Sequence, residues 1–205
     1  MSYTSNGGAD IWSMDPQGAN QVHLTGFTGI ESNPSWSPDH KHIAFVRVRN
    51  GGSSDIFLVD ADGTHKHWAR TAAYQGGIDM PSWSPDGTHL LVRVLFQGVL
   101  CLGKIDLATE NLSLIAPAGL FAVEGMYPIY DPTGTTIIYL DRSLKTFKRF
   151  TPGGAVTTVF SSSSYVGQPA ISPDGTKLAF YAAFSITNAE IDVLNLATKV
   201  TKRLT

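Results

Sequence analysis

The chain has 205 residues, of which 42% are hydrophobic and 16% charged, a balance that predicts a folded core. Its net charge of −2 provides no basic surface for nucleic acid or for an anionic membrane. The single cysteine, Cys101, excludes an internal disulfide and a cysteine-based zinc site. No apolar run approaches the ~20 residues of a membrane span, so we expect no membrane insertion.

The first 25 residues contain three short segments of strand character, namely SYT, DIWSMD and NQVHLT. They predict three strands, the first blade of a repeat that recurs further along the chain. No basic stretch followed by an apolar one is present, so no signal peptide is visible. The sequence leaves the compartment open: periplasmic or secreted if a leader has been removed, and cytoplasmic otherwise.

A longer unit begins at Asn33 with NPSWSPDHKHIAFV and then recurs three times. The matching segments are MPSWSPDGTHLLVR from Met80, YPIYDPTGTTIIYL from Tyr127 and QPAISPDGTKLAFY from Gln168. The leading prolines of these units are separated by 47, 47 and 41 residues. Such a period is typical of solenoids and propeller blades.

Each full unit predicts four short strands. The first is PSWS, which a Pro-Asp-Gly turn joins to an apolar second strand such as IAFV. A segment such as DIFLVD supplies the third strand, and a short alternating run supplies the fourth. Four antiparallel strands per repeat describe a blade. We therefore predict an all-β fold, a β-propeller of four-stranded antiparallel blades.

The predicted propeller is one domain over residues 1–205, with an incomplete first blade. Two arrangements are open: a closed ring of five blades, which we favour, or part of a propeller of roughly six to eight blades. The second would expose an edge for self-association. The predicted blade units are about 2–25, 33–70, 80–116, 127–160 and 168–205.

The innermost strands carry an aromatic or large apolar residue at one repeated position, namely Trp36, Trp83, Tyr130 and Ile171. We expect these side chains to pack between neighbouring blades. The unit that contains Asp131 departs from the Pro-Asp order, and we expect its turn to be looser.

The repeated units from Asn33, Met80 and Gln168, with the paired DIWSMDPQG and DIFLVDADG, resemble the WD40-like Pro-Asp repeat of the TolB β-propeller family. The resemblance covers nearly the whole chain and is specific for the fold. It implies little about activity, because the repeat occurs in periplasmic Tol-system proteins, in non-catalytic propellers of prolyl-oligopeptidase-type peptidases and in some polysaccharide lyases.

Candidate chemistry along the chain is sparse. His65 and His67, two residues apart on a predicted outer strand, would place two imidazoles on one face as two ligands of a metal site, but no third ligand is predictable there and a solvated outer edge explains the pair equally. We therefore expect no metal and no cofactor. No G-x-S-x-G elbow and no phosphate-binding glycine loop occurs. The carboxylates that end the third strands, Asp15, Asp60 and Asp106, are predicted to cap turns.

The loops that enter the innermost strands are predicted to converge on one mouth of the central channel. Aromatics beside carboxylates and amides are suited to binding peptides, protein loops or sugars. The candidate ligand-binding residues are Phe27, Glu31, Asn33, Tyr74, Asp79, Glu124, Tyr127, Tyr165 and Gln168.

Three functions are compatible with these features. We favour a non-catalytic binding or scaffold propeller that engages a protein or peptide at the channel mouth. The first alternative is a carbohydrate-binding or carbohydrate-active propeller that uses Glu31, Asp79 and Glu124. The second is a repeat-derived fragment with no selected ligand. The sequence favours a binding protein over an enzyme and leaves the question open.

Overall fold

The computed structural model describes residues 2–4, 10–48, 52–69, 77–117, 119–120, 122–185 and 188–205. In these residues the chain forms nineteen strands joined by turns and loops. Among them, no helix has the length and apolar character needed to cross a membrane. The strands are β1 Ser2–Thr4, β2 Ile11–Ser13, β3 Val22–His23, β4 Ile30–Trp36, β5 His42–Val48, β6 Ser54–Asp60, β7 His67–Trp68, β8 Ile78–Trp83, β9 His89–Phe96, β10 Val99–Asp106, β11 Leu112–Leu114, β12 Met126–Tyr130, β13 Ile137–Leu140, β14 Thr146–Phe150, β15 Thr157–Ser161, β16 Tyr165–Ile171, β17 Lys177–Ser185, β18 Asn188–Asn195 and β19 Thr201–Arg203.

Consecutive strands pair in antiparallel order to form the blades of a propeller. Strands β4–β7, β8–β11, β12–β15 and β16–β19 form four sheets of four strands, and β1–β3 form a sheet of three. The prediction of an all-β propeller with four-stranded antiparallel blades is confirmed. The second strands of the second, third and fourth sheets are buried on both faces over their central residues, and so is the third strand of the second sheet, because each of these sheets lies between two others.

Each innermost strand of the four-stranded sheets carries a β-bulge at its X-Pro dipeptide. In β4, Asn33 and Pro34 together oppose one residue of β5, Phe45. The same two-to-one break in register occurs at the matching dipeptides of β8, β12 and β16. Proline has no N–H to contribute to a strand ladder, so a bulge is where an innermost strand tolerates it.

The Pro-Asp turns that follow are held by a repeated side-chain network. Ser84 Oγ donates to Asp86 Oδ1 at 2.5 Å, and that oxygen accepts the backbone N–H of Thr88 at 3.0 Å. These hydrogen bonds, led by that of Ser84, lower the pKa of Asp86 to about 2. The pairs Ser37–Asp39 and Ser172–Asp174 repeat the arrangement.

The turn at Asp131 keeps the same pattern of hydrogen bonds, but the carboxylate and the hydroxyl have exchanged positions, with Asp131 in place of the serine and Thr133 in place of the aspartate. Thr133 Oγ1 donates to Asp131 Oδ2 at 2.8 Å. Asp131 Oδ1 accepts the N–H of Thr136 at 3.0 Å, in the place where the other turns use a serine hydroxyl. The departure from the Pro-Asp order therefore does not loosen the hydrogen bonding of this turn.

Apolar clusters between adjacent sheets form the core. The repeated residue of each innermost strand packs against the cluster between its own sheet and the preceding one. Trp36 joins the cluster of the first and second sheets, and Trp83 joins that of the second and third. Tyr130 and Ile171 occupy the next two clusters. The predicted packing between blades is confirmed at all four positions.

The five sheets follow one another in chain order, and the outer face of the last sheet is open. Tyr181 and Ile191 on that face are 36% and 39% exposed. In the described part of the chain, no apolar cluster joins β16–β19 to β1–β3. Closure into a ring of five blades therefore stays a prediction.

Candidate functional site: the central channel

The innermost strands of the four-stranded sheets surround a cavity of about 1020 Å³. Its volume is at the upper end of ordinary ligand pockets and suits a peptide segment. Each of these strands contributes both its bulge and its repeated inner residue to the lining. The lining residues are Ser32, Asn33, Pro34, Ser35, Trp36, Met80, Pro81, Ser82, Trp83, Pro85, Tyr127, Pro128, Ile129, Tyr130, Asp131, Pro132, Gln168, Pro169, Ala170, Ile171, Ser172 and Pro173.

Four residues of the lining share an unusual backbone conformation. Asn33, Met80, Tyr127 and Gln168 have φ values of 51°, 55°, 48° and 47°, in the left-handed region that non-glycine residues seldom occupy. Each is the first residue of its bulge. Because the bulge re-aims this residue, four sheets present one matching side chain each to the same cavity. We call these four residues the bulge ring.

Contacts between blades hold the channel wall. The backbone N–H of Tyr127 points at Met80 Sδ, 3.3 Å away, so two neighbouring members of the bulge ring are in contact. Further along the same innermost strands, after their bulges, the indole N–H of Trp83 donates to the carbonyl oxygen of Ser35 at 2.9 Å. Asp131 is the single formally charged residue in the described lining. The channel therefore offers aromatic, thioether, amide and hydroxyl groups.

Of the predicted binding residues, the structure brings Asn33, Tyr127 and Gln168 together in the channel. Met80, which belongs with them, is missing from the prediction. The signal that could have found it is the X-Pro dipeptide at the same position of every unit, since proline inside a strand indicates a bulge.

Phe27 and Glu31 lie outside the channel lining, near the contact between the first and second sheets. Glu31 is 1% exposed and accepts a hydrogen bond from the hydroxyl of Thr25 at 2.5 Å. Burial raises the pKa of this carboxyl. The guanidinium of Arg47 lies 4.3 Å from the ring centre of Phe27. These residues form a packed contact between blades.

Asp79 and Glu124 are each engaged by an arginine. The guanidinium of Arg93 donates two hydrogen bonds to Asp79, at 2.8 and 2.5 Å, and this carboxylate raises the pKa of Arg93. Arg142 Nη1 donates to Glu124 at 2.7 Å beside a smaller cavity of about 320 Å³. Neither carboxylate lines the central channel.

The predicted tyrosines do not share one location. Tyr127 lines the channel, whereas Tyr165 is 56% exposed and lies outside its lining. The ammonium of Lys145 is 5.2 Å from the ring centre of Tyr165. Tyr74 falls outside the described residues.

The prediction that Asp60 caps its turn is wrong, whereas the same prediction holds for the other two carboxylates. Asp15 and Asp106 do accept backbone N–H groups of their turns. The carboxylate of Asp60 instead bridges two imidazoles, with His42 at 2.9 Å and His65 at 2.7 Å, and its pKa is lowered chiefly by His65. A carboxylate thus lies beside the predicted histidine pair. In the described parts of the chain, no three such side chains are placed to hold a metal ion.

Repeated blades around a channel that is lined by their innermost strands define a β-propeller repeat protein. A model of the TolB beta propeller domain matches residues 1–151, and the chain belongs to this family.

Proteins similar to this chain include peptidases and TolB proteins. The uncharacterized peptidase YuxL of Bacillus subtilis is 28% identical over 189 residues, which are 91% of this chain and 26% of that protein. A TolB homolog of Chlorobium luteolum is 30% identical over 163 residues, covering 74% of this chain and 36% of its own. The crystal structure of TolB from Acinetobacter baumannii superposes with a TM-score of 0.78 at 23% identity, covering 96% and 48% of the two chains. The chain thus spans less than half the length of each.

Proposed function

We propose that this chain is a binding propeller that takes a segment of a partner protein or peptide into its central channel. The observation that carries the proposal is the bulge ring, in which four sheets present Asn33, Met80, Tyr127 and Gln168 to one cavity. Left-handed conformations of non-glycine residues are costly, and such residues cluster at ligand sites. Resemblance to Tol-system propellers likewise favours a protein partner.

The chemistry of the channel favours a largely uncharged polypeptide segment. Trp36, Trp83 and Tyr130 provide flat aromatic surface, and tryptophan and tyrosine dominate the energetics of many protein interfaces. Asn33 and Gln168 each offer a donor and an acceptor, which suits the peptide groups of a bound segment. Met80 supplies a side chain that adapts to apolar groups of different shape.

A carbohydrate-active channel has less support from the same geometry. Glycoside hydrolysis usually relies on two carboxyl groups that face one sugar, whereas Asp79 and Glu124 are paired with arginines outside the channel. Glu31 is buried against Thr25. Binding of a neutral oligosaccharide to the aromatic wall is the form of this alternative that can be tested.

The test is a selection of cyclic heptapeptides from a display library on the intact chain, followed by titration of one selected peptide. We expect Tyr127→Ser to weaken binding of that peptide by about tenfold or more, since the loss of a central aromatic residue often costs that much. Tyr165→Ser is the matched control, because it makes the same change outside the channel, and it should bind within about twofold of the parent.

Three results would contradict the proposal. The first is a selected peptide whose affinity is unchanged by Tyr127→Ser and lowered by Tyr165→Ser. The second is a selection that yields no peptide. The third is saturable binding of a neutral oligosaccharide, such as a maltose or galactose oligomer, that Tyr127→Ser abolishes, which would assign the channel to glycans.

A second candidate is a propeller that binds peptides for hydrolysis. The similarity to a peptidase over 91% of this chain favours it. Mass spectrometry of the selected peptide after prolonged incubation with the chain separates the two. An intact peptide supports the binding propeller, and cleavage that disappears with Tyr127→Ser supports the peptidase.

A further inference from the structure

The exchange of carboxylate and hydroxyl in the turn at Asp131 changes what the channel wall offers to a ligand. In the other Pro-Asp turns the carboxylate is the third residue, as in Asp86 and Asp174, and it lies outside the channel lining. In the exchanged turn the carboxylate is the first residue, Asp131, which lines the channel, and Thr133 takes the outer position. The last sheet has a neutral hydroxyl, that of Ser172, at this lining position. The exchange therefore adds a negative charge to the wall of the channel.

The three turns with an outer carboxylate also share a basic side chain three residues after it. These side chains are His42, His89 and Lys177. Each is near enough for its positive charge to attract the carboxylate of its own turn, in addition to the hydrogen bonds that the turn supplies. The exchanged turn has Thr136 in place of the basic residue. The carboxylate has thus changed position in the one turn that lacks a cation to balance it.

Asp131 has hydrogen bonds within its turn but no counter-charge. Its Oδ1 accepts the N–H groups of Thr135 and Thr136 at 3.1 and 3.0 Å, and its Oδ2 accepts the hydroxyl of Thr133 at 2.8 Å. A carboxylate offers about four acceptor sites, so one remains. None of the ion pairs among the described residues includes Asp131. Its negative charge and its remaining acceptor site are therefore available to a ligand.

Aromatic side chains line the channel at the position directly before these turns. Tyr130 precedes Asp131 in the same strand, and Trp83 holds the matching position in the neighbouring sheet. Aromatic faces attract ammonium and guanidinium groups. A carboxylate adds a charge-assisted hydrogen bond to the same groups, which is stronger than one between neutral partners. Aromatic rings beside one unbalanced carboxylate are thus suited to a cationic side chain.

We propose that Asp131 selects a lysine or arginine side chain in the polypeptide segment that enters the channel. This inference rests on the function proposed above, because it names the chemical class of the segment that the channel takes up. The rest of the described lining carries no formal charge. A segment with one cationic residue among uncharged ones therefore matches the channel better than a segment with none or with an acidic residue.

An exchange variant tests the proposal without changing the net charge of the chain. Asp131→Ser combined with Thr133→Asp converts the turn DPTGT to SPDGT, which is the sequence of the turns at Ser84 and Ser172. The variant moves the carboxylate out of the lining and keeps a turn sequence that this chain folds twice elsewhere. The probe is a cyclic heptapeptide, selected on the parent chain as described above, that contains a lysine or arginine. Its neutral analogue has norleucine in place of the lysine or citrulline in place of the arginine.

The two peptides and the two proteins form a double-mutant cycle. We expect the exchange variant to bind the cationic peptide about tenfold or more weakly than the parent does, because a hydrogen bond between charged groups is lost. The neutral analogue should bind the parent and the exchange variant within about twofold of each other, since it has no charge for Asp131 to attract. The difference between these two changes measures the coupling of Asp131 with the cation.

The opposite exchange in the last sheet is the matched control. Ser172→Asp combined with Asp174→Thr creates DPTGT in a second turn that lines the channel, and it leaves Asp131 in place. This control should bind the cationic peptide at least as tightly as the parent, because it adds a carboxylate to the lining. Circular dichroism confirms beforehand that the strands of both variants are intact.

Four results would overturn the selection of a cation by Asp131. They are a set of selected peptides without enrichment in lysine or arginine, an exchange variant that binds the cationic peptide as tightly as the parent, an equal loss for the neutral analogue, and an equal loss in the control. Each leaves the binding propeller supported if Tyr127→Ser still weakens the selected peptide. A selection that yields no peptide, or a peptide that is insensitive to Tyr127→Ser, would overturn the binding propeller and this inference together.

Discussion

At position 40 a histidine occupies the backbone conformation that glycine occupies in the matching turns. His40 has a φ of 59°, compared with 71° for Gly87 and 69° for Gly175. A residue with a Cβ is strained in this region by roughly 1–2 kcal/mol, whereas glycine is not. The imidazole of His40 lies near Trp36, with the two ring centres 6.5 Å apart.

We expect His40→Gly to stabilise the chain by about 1 kcal/mol, which raises the melting temperature by roughly 2–4 °C for a domain of this size. Thermal unfolding followed by circular dichroism measures the change. The reverse substitution, Gly87→His, should lower stability by a similar amount. If His40→Gly melts below the parent, the histidine makes a contact that outweighs the strain.

Two innermost strands carry tryptophans that pack alike but differ in the hydrogen bonding of the indole N–H. Trp36 and Trp83 occupy the same position in adjacent sheets and pack in matching clusters. The indole N–H of Trp83 donates to the carbonyl of Ser35 in the neighbouring sheet, at 2.9 Å. The corresponding atom of Trp36 is buried with no hydrogen-bond partner among the described residues.

We expect Trp83→Phe to destabilise the chain more than Trp36→Phe does, by about 1 kcal/mol, the usual net value of one hydrogen bond. Both changes leave an aromatic ring in the cluster, so they isolate the indole N–H. Alanine at either position should cost about 3–5 kcal/mol, because the ring itself is lost. Urea unfolding of the four variants measures these differences. Equal losses for the two phenylalanine variants would mean that the bond to Ser35 adds nothing to stability.

The strands and turns were predictable because their patterns are local. The Pro-Asp turn, the apolar second strand and the period of the repeat each depend on neighbouring residues, and all are present in the structure. The bulge ring was only partly predicted. Asn33, Tyr127 and Gln168 could be selected from their loops, but Met80 resembles an ordinary apolar residue until the bulge gives it a positive φ.

The partners of the charged residues were less predictable, because they depend on contacts between strands and sheets. Asp79 is opposite Arg93 only through the register of β8 with β9. Glu31 meets Thr25 only where the first sheet packs on the second. Tyr127 and Tyr165 both lie near the start of an innermost strand. Tyr127 is at the bulge of β12, whereas Tyr165 is the first residue of β16, and this difference separates their side chains.

For the whole molecule, stability should vary along the row of sheets. In a repeat architecture each unit contacts only its neighbours, so a unit with one neighbour opens more readily than a unit with two. The second strand of the third sheet, His89–Phe96, lies between two sheets, and Leu90, Leu91 and Val92 are fully buried. The matching strand of the last sheet, Lys177–Ser185, has Tyr181 on its open face.

We therefore expect amide hydrogens of Lys177–Ser185 to exchange faster than those of His89–Phe96, by about tenfold or more. Hydrogen exchange with mass spectrometry measures both peptides in one experiment. Equal protection of the two strands would contradict this expectation, because it would mean that the open face of the last sheet, with Tyr181 and Ile191, is covered in solution.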